Sequence, residues 1–173
     1  MVNSEQWLPV VGFEGFYEVS DQGSVRSLDR YAVDRNGRGV PYRGKTLSMH
    51  RHKDRGYLTV ALSKAGKPKT YQVHQLVCIA FHGTRPEWAQ DVRHLNDVKT
   101  DNRAENLRWG TRSENLHDAV RNGRHQVARR THCKQGHEYT PENTQRGSKR
   151  QRRCRKCRAD EYIRHTRRLS GVA

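Results

Sequence analysis

The sequence predicts an α+β protein of three modules: an N-terminal β-hairpin module, a central strand, loop, strand and helix, and a small C-terminal metal-binding module. Three observations predict this. Short β-prone runs separated by polar turns fill the chain as far as Gln72. At Val73 the apolar spacing switches to the three-and-four period of a helix. Beyond Thr131, two pairs of Cys and His residues carry metal-ligand spacing inside a strongly basic segment. The corresponding boundaries are residues 1–55, 56–125 and 126–173.

With 32% hydrophobic and 30% charged residues, the 173-residue chain has little apolar material for one large core, which favours small modules. Lys and Arg number 34 against 18 acidic residues, a formal charge of +16, and from Arg121 onwards 16 cations face only 4 acids. A surplus so concentrated suits phosphate neutralisation, in which each neutralised phosphate releases a counterion, so the implied partner is a nucleic acid. No run approaches the roughly 18 apolar residues that span a bilayer, and residues 1–10 lack a charged-then-apolar leader. A soluble, cytoplasmic protein with no membrane partner is therefore expected. In that reducing compartment the four cysteines argue against a disulfide framework.

In the segment EQWLPVVGFEGFYEVSDQGSVRSLDR, Phe16, Tyr17 and Val19 form one strand, SDQG turns the chain, and Val25 to Leu28 return as a second. Arg26 and Arg30 allow this ribbon to lie against a phosphate backbone. Residues 31–44, rich in Gly, Arg and Asp, are expected to be an exposed loop. GYLTVAL (56–62) alternates in polarity, residues 64–69 supply a basic turn, and residues 70–73 pair back as a second hairpin. Val73, Leu76, Val77, Ala80 and Phe81 then share one face of a helix that anchors the core. Cys78, just off that face, is a small buried hydrophobe.

Residues 91–94 extend as a strand, 95–105 form a loop dense in Asn and Asp, and 107–110 resume as a strand with Leu107 and Trp109 on one face. Thr111 and Glu114 make a capping box, Leu116, Ala119 and Val120 give the following helix an apolar face, and Gly123 ends it.

Within this stretch His94 comes first, followed by Asn106 of ENLRW and Asn115 of SENLHD inside DNR-x-ENLRWGT-x-x-EN. The pattern resembles the HNH nuclease family, whose core is the ββα-metal fold. YQVHQLVCIAF resembles the helix that precedes this core in intron-associated and phage members. W-x-P-V-x-G-F-E-G-x-Y-E-V-S-D-x-G-x-V-R-S resembles a small DNA-binding module fused to such nucleases. The resemblance implies a homing-type, metal-dependent DNA endonuclease. On that reading His94 is the general base, since a neutral imidazole accepts a proton at physiological pH. Asn106 orients its ring, and Asn115 gives Mg²⁺ or Mn²⁺ an oxygen ligand from the helix.

The family places an acidic residue or histidine directly before the catalytic histidine, whereas this chain has Arg93, which cannot ligate a cation. Asp118, one turn from Asn115, is the best-placed substitute ligand, with Asp97 or His117 behind it. Alternatively Arg93 binds phosphate, with Arg108 a further DNA contact, and the metal keeps more waters.

In the tail, Cys133, His137, Cys154 and Cys157 form C-x3-H-x16-C-x2-C, which suits a closed, structural tetrahedral zinc site. The intervening NTQRGSKRQRRC allows the chain to fold back as a hairpin. RADEYIRHTRRL is then a basic helix, with Arg155, Lys156, Arg158 and Arg164 available to phosphates. The implied partner is double-stranded DNA, nicked by a monomer or broken by a dimer, in a bacterial host cytoplasm if the chain is phage-encoded. Two rival readings stay open: a non-catalytic DNA-binding regulator on the same scaffold, and an RNA-binding zinc protein, because positive charge does not distinguish polyanions.

Overall fold

The computed structural model describes residues 4–33, 36–148 and 151–170. The chain forms two compact units, residues 1–124 and 125–173. In the first, β2 (Tyr17–Ser20) and β3 (Val25–Ser27) form the expected hairpin, and β1 (Trp7–Pro9) adds a third antiparallel strand along β2. Ser20 closes the turn through its carbonyl and its hydroxyl, and Gly23 adopts φ +87°, a conformation that disfavours any side chain.

Residues 31–44 do not form a loop. β4 (Arg30–Val33) pairs with β5 (Gly39–Tyr42) as a second hairpin, residues 34 and 35 lying outside the described residues. Tyr31 is 82% exposed and Val33 and Val40 are also exposed, so this ribbon buries neither face and lacks the one-sided alternation by which half-buried strands are read.

β6 (His50–Arg51), β7 (Leu58–Lys64) and β8 (Lys67–Gln72) make the next sheet. β7 and β8 are joined at Ala65 and Gly66, both at positive φ, the two-residue connection whose twist matches that of paired strands. The chain passes directly into α1 (Val73–His82), whose Val73, Leu76 and Val77 enter the core and whose Cys78 is fully buried. β9 (Asp91–His94) and β10 (Leu107–Gly110) pair antiparallel, with a short 3-10 turn at Ala104–Asn106 between them. α2 (Arg112–Arg121) follows, started by the Thr111/Glu114 capping box.

One apolar core holds this unit together. Val10, Tyr17, Val19 and Val25 pack with Val60, Leu62, Val73, Leu76, Val77 and Leu107, so residues on both sides of position 55 contribute to it. α2 departs from expectation, because Leu116 and Val120 remain about half exposed and the buried residue of the helix is Asp118, at 2% exposure. Charge replaces apolar contact: Asp118 Oδ2 accepts from Arg93 Nε at 2.9 Å, Arg93 Nη1 reaches Glu114 Oε1 at 3.0 Å, and Arg121 reaches Asp118 Oδ1. Gly110 makes room for this, since a Cβ there would stand 2.2 Å from Arg93 Cδ.

In the second unit, α3 (Gln126–Arg129) precedes a hairpin of β11 (Thr144–Arg146) and β12 (Arg152–Cys154), and α4 (Arg155–Ser170) is the expected basic helix. Residues 149 and 150 of the hairpin lie outside the described residues. No helix among the described residues is long and apolar enough to cross a membrane.

The ionic anchoring of α2 gives a ranking. Asp118→Ala leaves the mostly buried Arg93 guanidinium with the half-exposed Glu114 as its remaining carboxylate and should destabilise the first unit by about 1–3 kcal/mol, whereas Leu116→Ala should cost less than about 1 kcal/mol. Urea unfolding of both variants checks this, and the reverse ranking contradicts it.

Candidate active site and metal centre

His94 ends β9 opposite Leu107 and is 5% exposed, yet its surroundings are polar and aromatic rather than aliphatic. Its Nε2 lies 3.2 Å from Asn102 Oδ1, and its ring meets those of His74 (centroids 5.2 Å apart) and Tyr57 (5.9 Å). An amide oxygen accepts only, so Nε2 carries the hydrogen and Nδ1 keeps its lone pair. Burial holds the His94 pKa below its ordinary value, against the Asn102 hydrogen bond and the Asp101 and Asp97 carboxylates, which favour the imidazolium. The ring is therefore neutral at physiological pH.

The loop from Leu95 to Glu105 is tied rather than free. Asn106 Oδ1 accepts from the Asn96 N–H at 3.1 Å, and Asn106 Nδ2 donates to Asn96 Oδ1 and to the Asp101 carbonyl. Asp101 in turn is gripped by Arg103, whose hydrogen bonds hold its carboxyl down at about 2. This corrects the expected role of Asn106. It fixes the loop that carries Asn102, and Asn102 is the amide that meets the imidazole. The signal for Asn102 was present in the DNR triplet, but spacing alone does not tell which of two nearby asparagines faces the ring.

A cleft of about 550 Å³ adjoins the site, with Tyr57, His74, Asp91, Trp109 and Asn115 in its walls. His94 contributes no wall of its own and meets the cleft through the His74 and Tyr57 rings. His74 was missed by the sequence reading, where it sits inside a helical apolar stretch. It is 4% exposed, its Nδ1 is buried without a partner, and burial followed by the neighbouring His94 pushes its pKa down to about 3.

Asp118 does not join Asn115 as a ligand: both its carboxylate oxygens are engaged by Arg93 and Arg121, and it is 2% exposed. The same pairing corrects Arg93, whose guanidinium is neutralised by Asp118 and Glu114 and is not offered to a phosphate. The oxygen donors that do line the cleft are Asp91, Asn115 and the amides of Gln72, Gln75 and Gln90. Such hard, flexible donors fit a cation that retains waters, as Mg²⁺ and Mn²⁺ do.

In the second unit the ligand atoms of Cys133, His137, Cys154 and Cys157 all lie within 4.8 Å of one another. His137 Nδ1 is 3.3 Å from Cys157 Sγ and 3.7 Å from Cys154 Sγ, and Cys133 Sγ is 3.5 Å from Cys157 Sγ. Backbone N–H groups of His137 and Cys157 point at Cys133 Sγ and Cys154 Sγ, an outer shell that favours thiolates. Burial and the two neighbouring sulfurs push the Cys157 thiol up, a repulsion that a bound cation would remove. Three sulfurs and one imidazole nitrogen make a four-donor set.

The strand, looped connection, strand and capped helix coincide with a family match: residues 71–117 match the HNH endonuclease family. The chain carries an HNH endonuclease domain. Residues 5–63 match the NUMOD4 motif, which covers the first three-stranded sheet and runs on into β7. The DNA endonuclease I-HmuI of Bacillus phage SP01 is 36% identical over 118 residues, which is 68% of this chain and 59% of that enzyme. An uncharacterised HNH endonuclease of Acanthamoeba polyphaga mimivirus is 36% identical over 128 residues, 69% of this chain and 27% of that protein. A solved structure of DNA binding and cleavage by the HNH homing endonuclease I-HmuI superposes with a TM-score of 0.53 at 35% identity, covering 72% of this chain and 63% of that one. The chain thus spans less than two thirds of each relative.

Around the HNH domain the cations singled out from sequence divide by surroundings. Arg26 is paired with Glu18 at 2.6 Å and stacked 4.1 Å over Trp7, and Arg30 lies 3.9 Å over the Tyr42 ring. One nitrogen of Arg108 donates to the Leu107 and Ala104 carbonyls. Arg155, Lys156, Arg158 and Arg164 are exposed along α4.

The buried His74 makes stability depend on pH with a definite sign. Its folded pKa of about 3 lies below the unfolded 6.5, so its contribution is complete above pH 6.5 and is lost as pH falls from there towards 3. Over that window wild type should lose up to about 1.4 kcal/mol per pH unit more than His74→Gln. Urea unfolding at a series of pH values measures it, and parallel pH dependences would contradict it.

Proposed function

We propose that this chain is a divalent-metal-dependent DNA endonuclease of the homing type, hydrolysing phosphodiester bonds with His94 as the general base. The observation that carries this reading is the Asn102 contact on His94 Nε2, which leaves Nδ1 with its lone pair in a ring that packs against His74 and Tyr57, two walls of a cleft lined by oxygen donors. Nδ1 takes the proton from the attacking water, and Asn102 Oδ1 steadies the imidazolium that results. Asn115 and Asp91 would hold the Mg²⁺ or Mn²⁺ ion, which when bound offsets charge on the phosphate and the leaving oxygen. The expected products are a 3′ hydroxyl and a 5′ phosphate. One such core acts on one strand, so a monomer nicks and a dimer breaks both.

The second unit holds Zn²⁺ in a closed structural site and presents the cations of α4 to the backbone of double-stranded DNA. Similarity to a phage endonuclease supports a host cytoplasmic location. Arg26, Arg30 and Arg108 serve chiefly to stiffen the surface they lie on, with phosphate contact through their exposed edges.

Supercoiled plasmid incubated with Mg²⁺ or Mn²⁺ tests the reading. Nicking should fall by about 10²–10⁴ in His94→Ala, and the acid limb of the wild-type rate should lie below pH 6.5, because the base is lost only as pH falls through the depressed pKa. Binding without metal-dependent nicking points to the regulator instead, and preference for RNA over duplex at one salt concentration points to the RNA-binding alternative. Elemental analysis should find one zinc per chain, lost in Cys157→Ser; a metal-free, folded second unit would contradict the structural zinc.

A further inference from the structure

The turn between β2 and β3 belongs to the stretch that matches the NUMOD4 motif, yet it reaches the loop that carries Asn102. The Asp21 carbonyl accepts from the Ala104 N–H at 2.8 Å. Two residues on, Gly23 is packed so closely that a Cβ there would stand 2.9 Å from Asn102 Cβ and 3.1 Å from the Asn102 carbonyl carbon and oxygen. These are backbone and Cβ atoms, which cannot swing aside as a side-chain tip can. Asn102 is 3% exposed and its Nδ2 is buried without a partner, so one face of its amide is held by the His94 ring alone. Hydrogen bonding within the loop fixes Asn96, Asp101 and Asn106, but among the described residues no hydrogen bond of that network reaches the Asn102 side chain. What sets the position of that amide is the glycine turn pressed against it.

We propose that the β2–β3 turn of the N-terminal module is a positioning element for the general base: Asp21 and Gly23 seat Asn102, and Asn102 seats the His94 imidazole. The inference rests on the endonuclease reading for its catalytic consequence, though not for its geometry. The N-terminal motif then has two duties, since the same short sheet that carries Arg26 also completes the site, and the nuclease core depends on it for more than recruitment to DNA.

Two substitutions in the full chain separate this role from general destabilisation. Gly23→Ala places a methyl against Asn102 at φ +87°, while Gly12→Ala imposes similar backbone strain at φ +83° with nothing within 4 Å. Ala104→Pro deletes the N–H that donates to Asp21; proline is tolerated at the first residue of a helical turn, and Arg103 before it is already extended. Single-turnover cleavage should fall at least about tenfold in Gly23→Ala and Ala104→Pro, as displacement of a reacting group by a fraction of an ångström does. The Kd for duplex DNA should stay within about twofold of wild type, and Gly12→Ala should cleave normally.

The His94 titration, followed by its Cε1–H NMR signal, should move downwards in the two test variants, because a displaced Asn102 stabilises the imidazolium less, and should not move in Gly12→Ala. An unshifted His94 titration in Gly23→Ala, or an equal effect in Gly12→Ala, overturns the proposal. If wild type binds DNA and metal but never cleaves, the endonuclease reading fails, and the titration still decides the coupling by itself.

Discussion

The hydrogen bond between His94 Nε2 and Asn102 Oδ1 is the contact on which the rest of the site depends. A neutral histidine ring can carry its one proton on either of two distinct nitrogens, and the partner of one nitrogen decides which of them keeps a lone pair. In water an amide acceptor would decide this weakly. At 5% exposure, where a misplaced hydrogen has no solvent to meet, it decides it firmly. Burial also keeps the ring neutral, so one environment supplies both protonation state and tautomer. The cost is a loop that must be held in place at many points, through Asn106, the Asp101 and Arg103 pair, and the turn at Gly23.

The helix that carries Asn115 is seated by similar means. Its Leu116 and Val120 face outwards, and its hold on the strands runs through Asp118 and Arg93. This gives Arg93 a physical reason for its place. At a position where an acid or histidine would serve as a ligand, an arginine turns to the opposite side of the strand pair, buries its stem against Gly110 and bonds two carboxylates of the helix. A helix whose position is fixed by charge-assisted hydrogen bonds keeps Asn115 at the cleft wall.

Much of the architecture was legible in the residues because its signals are local. Strand 91–94 stood out as the extended run before the polar loop, strand 107–110 through Leu107 and Trp109 on one face, and the start of the following helix through Thr111 and Glu114. The Cys and His spacing foretold a cluster whose four ligand atoms do converge. What escaped depends on partners distant in sequence. The inward side of α2 was misassigned because Leu, Ala and Val outrank Asp on any hydrophobic scale, and only Arg93, 25 residues earlier, reverses that order. Asn102 and Asn106 could not be told apart, as both sit in the same polar loop and the ring that distinguishes them ends another strand. Residues 30–42 hid a hairpin because a ribbon exposed on both faces has no reason to alternate.

The most direct test of the central claim is the tautomeric state of one ring. Two-bond ¹H–¹⁵N correlations of His94 in the full-length protein at neutral pH should show a protonated Nε2 and an unprotonated Nδ1, changing to a mixture or the reverse in Asn102→Ala. A wild-type ring protonated on Nδ1, or charged at pH 7, would contradict the account.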